Sequence, residues 1–211
     1  MILIDIISDT VCPWCYIGKK RLEQAIKKSS DLNFNISWHA FQLNPNMPKQ
    51  GMDRKVYLSK KFGGSHNVEN FYLQIEKAGS LTGIDFRFEK ISRMPNSFNT
   101  HLLVEYAKEK KLQNKIVEDL FKSYFLRGKN IGEPTILTEI AINCGIENFT
   151  YEELINREDL RENINKTDLN NKKIGISGVP FFIFNKNFAV SGAQESEVFE
   201  RVLETCLLND K

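Results

Sequence analysis

Cys12 and Cys15, three positions apart in DTVCPWCYIGKK (residues 9–20), are the residues whose type and spacing point most directly to chemistry. A CxxC pair either supplies half of a tetrahedral metal site or makes and breaks a disulfide. Zinc needs four ligands, and the other candidates, Cys144, Cys206, His39, His66 and His101, form no second CxxC and no HxxxH pair. The spacing therefore favours a dithiol, and no metal is expected. Three-residue separation brings two sulfurs within bonding reach and leaves either open to attack from outside.

Thiol reactivity depends on what positions the sulfur, so the flanking elements matter. The run ILIDII (2–7) is short and almost wholly apolar, the pattern of a buried parallel strand. From about Cys12 the spacing of Ile17, Leu22, Ala25 and Ile26 predicts a helix ending near Ser29–Ser30, and Pro13 suits its first turn, where a missing N–H removes no internal bond. A cysteine at such a strand-to-helix junction meets free backbone N–H groups and the positive end of the helix dipole, which stabilise a thiolate. Cys12 is thus expected exposed at the helix tip as nucleophile, with Cys15 one turn on, partly beneath it, as the resolving thiol.

FNISWHAF (34–41) alternates, with Phe34, Ile36, Trp38 and Ala40 on one face, and completes a βαβ unit. Between Phe41 and Phe181 no strand is evident. Helical stripes recur instead: Phe98, Leu102, Leu103, Tyr106 and Ala107; Ile116, Leu120, Phe121 and Tyr124; Leu137, Ile140, Ala141 and Cys144. Pro134 and Thr135 open the third helix and Gly145 closes it. Strand character returns at PFFIF (180–184) and FAVSG (188–192), a hairpin joined by Asn185, Lys186 and Asn187, before a last helix from about Glu195 to Leu207. With NPNMPKQGMD (44–53) as a boundary, the chain divides into a discontinuous α/β domain, 1–42 with 161–211, and a helical insertion, 43–160.

At 211 residues with 41% apolar residues the chain can bury a substantial core, and 29 basic against 27 acidic residues leave a net charge of +2. The charges are scattered. KEKK (108–111) and NKK (171–173) read as solvated faces, and no nucleic-acid partner is expected. No apolar run approaches the ~20 residues of a membrane span. MILIDIISD lacks the basic start of a secretory leader. Four cysteines are too few for a secreted disulfide framework, so a cytoplasmic protein is expected.

The residues also carry a likeness. DTVCPWCYIGKKRL, WHAFQLNP, PNSFNTHLL, SYFLRGKNIGEPTIL and GISGVPFFIFNKNFAVSGAQ together span nearly the whole chain. The chain resembles the DsbA-like thioredoxin-fold oxidoreductases, specifically the FrnE-like branch related to 2-hydroxychromene-2-carboxylate isomerases and kappa-class glutathione transferases. The resemblance implies an α/β thioredoxin fold with a large all-helical insertion and a catalytic Cys12–Cys15 pair. It also implies a cis Val179–Pro180 bond beside the pair, with the Val179 backbone free to pair with an extended substrate. In the isomerase and transferase relatives serine is typical where Cys12 stands, which favours disulfide exchange here. Pro13–Trp14 replaces the Pro–His of DsbA, which implies a weaker oxidant.

The leading expectation is a thiol–disulfide oxidoreductase or isomerase. Its partners would be disulfide-containing or unfolded proteins and small thiols, with no tightly bound cofactor and with glutathione as a redox partner. The alternative is a glutathione-dependent isomerase or transferase acting on a small aromatic compound. A third reading is a noncatalytic binding module. Trp14, beside the nucleophile, offers an apolar platform for substrate. His39 reads as a hydrogen-bonded structural residue, and Cys144 and Cys206 as packing residues. His101 is expected near the cleft or in the packing, and roles for it and Asn96 stay open because Thr100 stands where alanine is common in the relatives.

Overall fold

The protein is described by a computed structural model covering residues 1–29, 32–63 and 65–209, with backbone alone for 65–67 and 209. Ser30, expected near the end of the first helix, and the side chain of His66 lie outside the described residues.

A four-stranded sheet of order β2-β1-β5-β6 forms the frame: β1 (Ile2–Ser8), β2 (Phe34–Ala40), β5 (Phe181–Phe184) and β6 (Phe188–Ser191). β1 runs parallel to β2 and antiparallel to β5, so Ile6 lies opposite Trp38 on one side and Phe182 on the other. Ile2, Ile4 and Ile6 join the main core with Phe182 and Phe184, while Ile7 faces the opposite side of the sheet and packs with Phe41 and Ile176. Both faces are covered, which is why β1 reads as a continuous apolar run. The β5–β6 hairpin turns at Asn185 and Lys186, both at positive φ, as its loop composition predicted.

α1 (Pro13–Lys28) connects β1 to β2 and packs on the last helix, α9 (Ser196–Asn209). Its approach to the hairpin depends on Gly18. A Cβ there would lie 3.0 Å from Pro180 Cγ and 3.1 Å from the tip of Phe182.

Between β2 and β5 come α2 (Arg54–Phe62), α3 (Ser65–Leu81), α4 (Phe98–Glu109), α5 (Gln113–Phe121), α6 (Pro134–Asn143), α7 (Tyr151–Ile155) and α8 (Glu158–Lys173). A single π-helical turn, Lys122–Leu126, follows α5. The segment differs from expectation in holding a minimal antiparallel pair, β3 (Met52–Asp53) with β4 (Arg93–Met94), two residues each and too short for any alternation to register in the sequence. The three helical stripes fall in α4, in α5 with its π turn, and in α6, and Gly145 ends α6 at φ +100°.

The helices do not stand apart from the sheet, because α4, α5 and α8 all pack against β2 and one apolar core runs through both parts. The 160/161 boundary read from the sequence falls inside α8, which packs on β2 and α4 alike. Tyr16, next to Cys15, ties α1 to the helical part by stacking on Phe121 with ring centres 5.0 Å apart. Its hydroxyl donates to Glu118 of α5, which also receives Lys19 at 2.7 Å and Lys20 at 2.8 Å.

Candidate active site

The loop between β1 and α1 is held from three directions. Asp9, wholly buried, accepts from Val11 N–H through Oδ1 at 3.3 Å and from Leu43 N–H through Oδ2 at 2.8 Å. The Thr10 hydroxyl meets that of Thr100 on α4 at 2.6 Å, which ties the cysteine loop to the helical part. Cys12 N–H donates to the Asp9 carbonyl at 3.0 Å. The loop thus arrives at α1 with its geometry set by packing and hydrogen bonds rather than by α1 alone.

Cys12 is the N-cap of α1, with extended backbone (φ −95°, ψ 113°) and Pro13 in the first turn. No side chain caps this helix end and no acidic residue lies in its first turn, so Cys12 stands at the uncapped, positive end of the helix dipole. Cys12 and Cys15 come within 3.5 Å of each other, both as free thiols. The Cys12 thiol also faces the Val179 carbonyl, 3.7 Å away, and the Val179–Pro180 bond is cis.

One expectation is corrected. Cys12 is only 5% exposed, against 1% for Cys15, because the Val179 loop and the wall of α2 close over the helix tip that the sequence reading left open to solvent. Burial pushes the Cys15 thiol well above its ordinary range, and the neighbouring Cys12 sulfur adds to this by hydrogen bonding and charge. The Ser8 hydroxyl and the Asp9 backbone pull the other way. The Ser8 hydroxyl lies near enough to favour a Cys15 thiolate but is not aligned as a full hydrogen bond to any group.

Above Cys12 opens a cavity of about 270 Å³. Val11, Cys12, Pro13, Trp14, Gly178 and Val179 form its floor, and Trp14 is partly exposed as expected. Its walls come from the helical part, chiefly Tyr57, Phe71, Tyr72, Met94 and Phe125. Arg54 sits in this wall at 6% exposure. It donates through Nε and one terminal nitrogen to the Tyr72 hydroxyl (3.1 and 2.7 Å) and lies over the rings of Tyr72 and Phe88, each 5.3 Å away. Its other terminal nitrogen is buried without a hydrogen-bond partner, and among the described residues no carboxylate pairs with it. Arg54 escaped the sequence reading because nothing local distinguishes it from a surface basic residue opening a helix.

The other candidates fall elsewhere. His39 bonds Asp5 across the sheet at 2.8 Å, the structural role expected of it. Asn96 donates to the Met47 carbonyl at 2.6 Å and accepts from Phe98 N–H at 2.9 Å, a connector and not part of the cavity wall. Cys144 and Cys206 are buried, the former donating to the Lys115 carbonyl at 3.6 Å. His101 lies beneath the dithiol loop, its Nε2 3.6 Å from Asp9 Oδ1, and does not reach the cavity. Among the described residues no three His, Cys, Asp or Glu side chains converge on a common point.

This arrangement has counterparts. The sequence matches the DSBA-like thioredoxin domain over residues 3–204. The fold superposes on a "probable DsbA oxidoreductase" from Streptomyces coelicolor with a TM-score of 0.84 and 24% identity, covering 98% of this chain and 90% of that one. It superposes on the cytosolic disulfide reductase DsbM of Pseudomonas aeruginosa, solved with GSH, with a TM-score of 0.70 and 17% identity, covering 97% and 98%. For a 2-hydroxychromene-2-carboxylate isomerase the TM-score is 0.75 at 14% identity, covering 99% and 97%. With a cysteine pair at a helix tip beside a cis-proline loop and a sequence match running almost from end to end, the chain belongs to the DsbA-like thioredoxin domain family.

Proposed function

We propose that the protein is a thiol–disulfide oxidoreductase or isomerase in which Cys12 attacks and Cys15 resolves. The observation that carries this reading is the pair itself: two free cysteines 3.5 Å apart, one at an uncapped helix N-terminus on the floor of a cavity, the other buried behind it. In the first step the Cys12 thiolate attacks one sulfur of a substrate disulfide, forming a mixed disulfide and expelling a thiolate that takes up a proton. In the second, the Cys15 thiol loses its proton and attacks the Cys12 sulfur, forming the Cys12–Cys15 disulfide and releasing the remaining substrate thiol. Two electrons pass from the dithiol to the substrate, and reversal of the steps oxidises it. Val179, with its carbonyl facing the sulfur, and Trp14 would hold an extended or apolar segment beside Cys12.

The substrates are protein or small-molecule disulfides, with glutathione as the recycling thiol. Arg54 favours small thiols bearing a carboxylate, because a buried guanidinium without an anionic partner in a cavity wall gains most from an anionic ligand. Cytoplasmic residence belongs to the same proposal, supported by the sparse cysteine content. Cys12→Ser is expected to reduce insulin-disulfide turnover to the uncatalysed background, and full activity in that variant would refute the assignment. Titration against a glutathione redox buffer then ranks reductant against oxidant.

The aromatic enclosure over Cys12 supports a second reading, a glutathione-dependent isomerase or transferase on a small aromatic compound. Activity with glutathione that survives Cys15→Ala and improves with Cys12→Ser selects it. Loss in both variants removes it.

A further inference from the structure

Resolution requires Cys15 to give up a proton from a site 1% exposed, and Cys15 does not line the cavity above Cys12. Asp9 lies close, and Val11 and Leu43 N–H groups hold its two carboxylate oxygens against the loop backbone. On the side of the loop away from the substrate cavity is a slot of about 10 Å³ between the end of β1, β2 and α4. Ser8, Trp38, His39, His101 and Glu105 contribute to its lining. Three of these carry a buried polar atom without a hydrogen-bond partner among the described residues: Ser8 Oγ, Trp38 Nε1 and His101 Nε2. Buried polar atoms left alone are costly, and three around one slot are unusual. A space of about 10–15 Å³ holds one water, which needs two to four polar partners. Trp38 can only donate, Ser8 can donate and accept, and the imidazole does either according to its tautomer.

We propose that the slot holds one ordered water bound by Ser8, Trp38 and His101, and that this water relays the Cys15 proton from the Ser8 hydroxyl to His101. The inference rests on the reading of Cys15 as the resolving thiol. The Cys15 proton goes to Ser8 Oγ, the Ser8 hydroxyl proton to the water, and a water proton to His101 Nε2. One proton moves, no bond between heavy atoms changes, and the Cys15 thiolate then attacks Cys12 as above. Ser8, at the end of β1 where the cysteine loop begins, lines the slot with its Oγ buried and unpartnered among the described residues, and is the entrance of this path.

The charged neighbours suit the acceptor. An imidazole that takes the proton lies 3.6 Å from Asp9 on the cysteine loop, an opposite charge. From β2 comes His39, paired with Asp5, and from the next turn of α4 comes Glu105, within ion-pair reach of Lys108 and bonded by Asn163 of α8. α5 presents Val117, and Asp168 of α8 is engaged by Gln42 N–H and Lys172. Half-buried Glu105 and His39 form the outlet through which His101 returns the proton to solvent.

The test is the reaction of reduced protein with 5,5′-dithiobis(2-nitrobenzoate), followed by stopped flow across a range of pH. The first coloured thiolate reports attack by Cys12, and the second reports resolution by Cys15. His101→Gln and, independently, Ser8→Ala are expected to slow the second phase by roughly tenfold to a hundredfold and to alter its pH profile. A crystal structure of the reduced wild type is expected to place a water within hydrogen-bond distance of the three atoms. Second phases with the wild-type rate and pH profile in both variants overturn the relay, as does a slot without water. Absence of the first phase in the wild type instead overturns the oxidoreductase reading.

Discussion

On one side of the Cys12–Cys15 pair lies a cavity of about 270 Å³ walled by aromatic rings, Met94 and the buried Arg54; on the other, a slot of about 10 Å³ with three unsatisfied polar atoms. On the proposed function the difference follows from what each side would accommodate. A substrate disulfide would bring apolar surface and a leaving group, which an aromatic cavity desolvates and holds. A proton needs only a chain of hydrogen-bonding atoms, and a space large enough for substrate there would flood the resolving thiol. The same loop, Ser8 to Cys12, faces both spaces, so the two cysteines, 3.5 Å apart, would work in different media.

The comparison breaks most readily on the cavity side. Arg54→Met is expected to raise KM for a carboxylate-bearing disulfide such as oxidised glutathione by roughly tenfold to a hundredfold, the loss of about one charge-assisted hydrogen bond. KM for a neutral aromatic disulfide should not change. Since an apolar residue of similar length replaces an unpaired buried charge, thermal stability should hold or improve, and a KM change equal for both substrates would refute the role given to Arg54.

Gly18 tests whether the two sides share one frame. In Gly18→Val the added atoms collide with Pro180 and Phe182, which must move the Val179 loop off the Cys12 sulfur. Unfolding in urea should reveal a loss of about 1–3 kcal/mol. Slower attack by Cys12 with an unchanged resolving step would sharpen the division between the spaces.

The smallest effect concerns the clamp that holds α1 to α5. Burial opposes the Glu118 carboxylate, but Lys19 and Lys20 outweigh it and bring its pKa down to about 2. A carboxylate depressed on folding stabilises the protein above its unfolded pKa, and that stability is lost as pH falls through the folded value. Wild-type stability should therefore drop between about pH 5 and pH 2 by on the order of 1–2 kcal/mol more than that of Glu118→Gln, allowing for solvent screening. Identical pH profiles in chemical denaturation would show that the cluster does not hold α1.

Much of the frame was legible because its signals are local. The isoleucine run of β1, Pro13 at a helix start, the Asn185–Lys186 turn and Gly145 after α6 each impose their geometry within a few residues. β3 and β4 were not legible, because a two-residue strand depends on its partner and has no period of its own.

By itself the sequence determined that two thiols stand three residues apart at a strand-to-helix junction, and that a proline opens a later strand. Covalent spacing and short-range backbone preference suffice for that, whereas the placing of that strand beside the thiols came from the family resemblance. Tertiary structure alone decided that Cys12 is covered, that Arg54 enters its cavity with no carboxylate partner among the described residues, and that Ser8, Trp38 and His101 line one slot. Those facts depend on segments as far apart as Cys12 and Val179, 167 residues along the chain, meeting through burial and hydrogen bonding, and no local pattern encodes which distant side chain will face which.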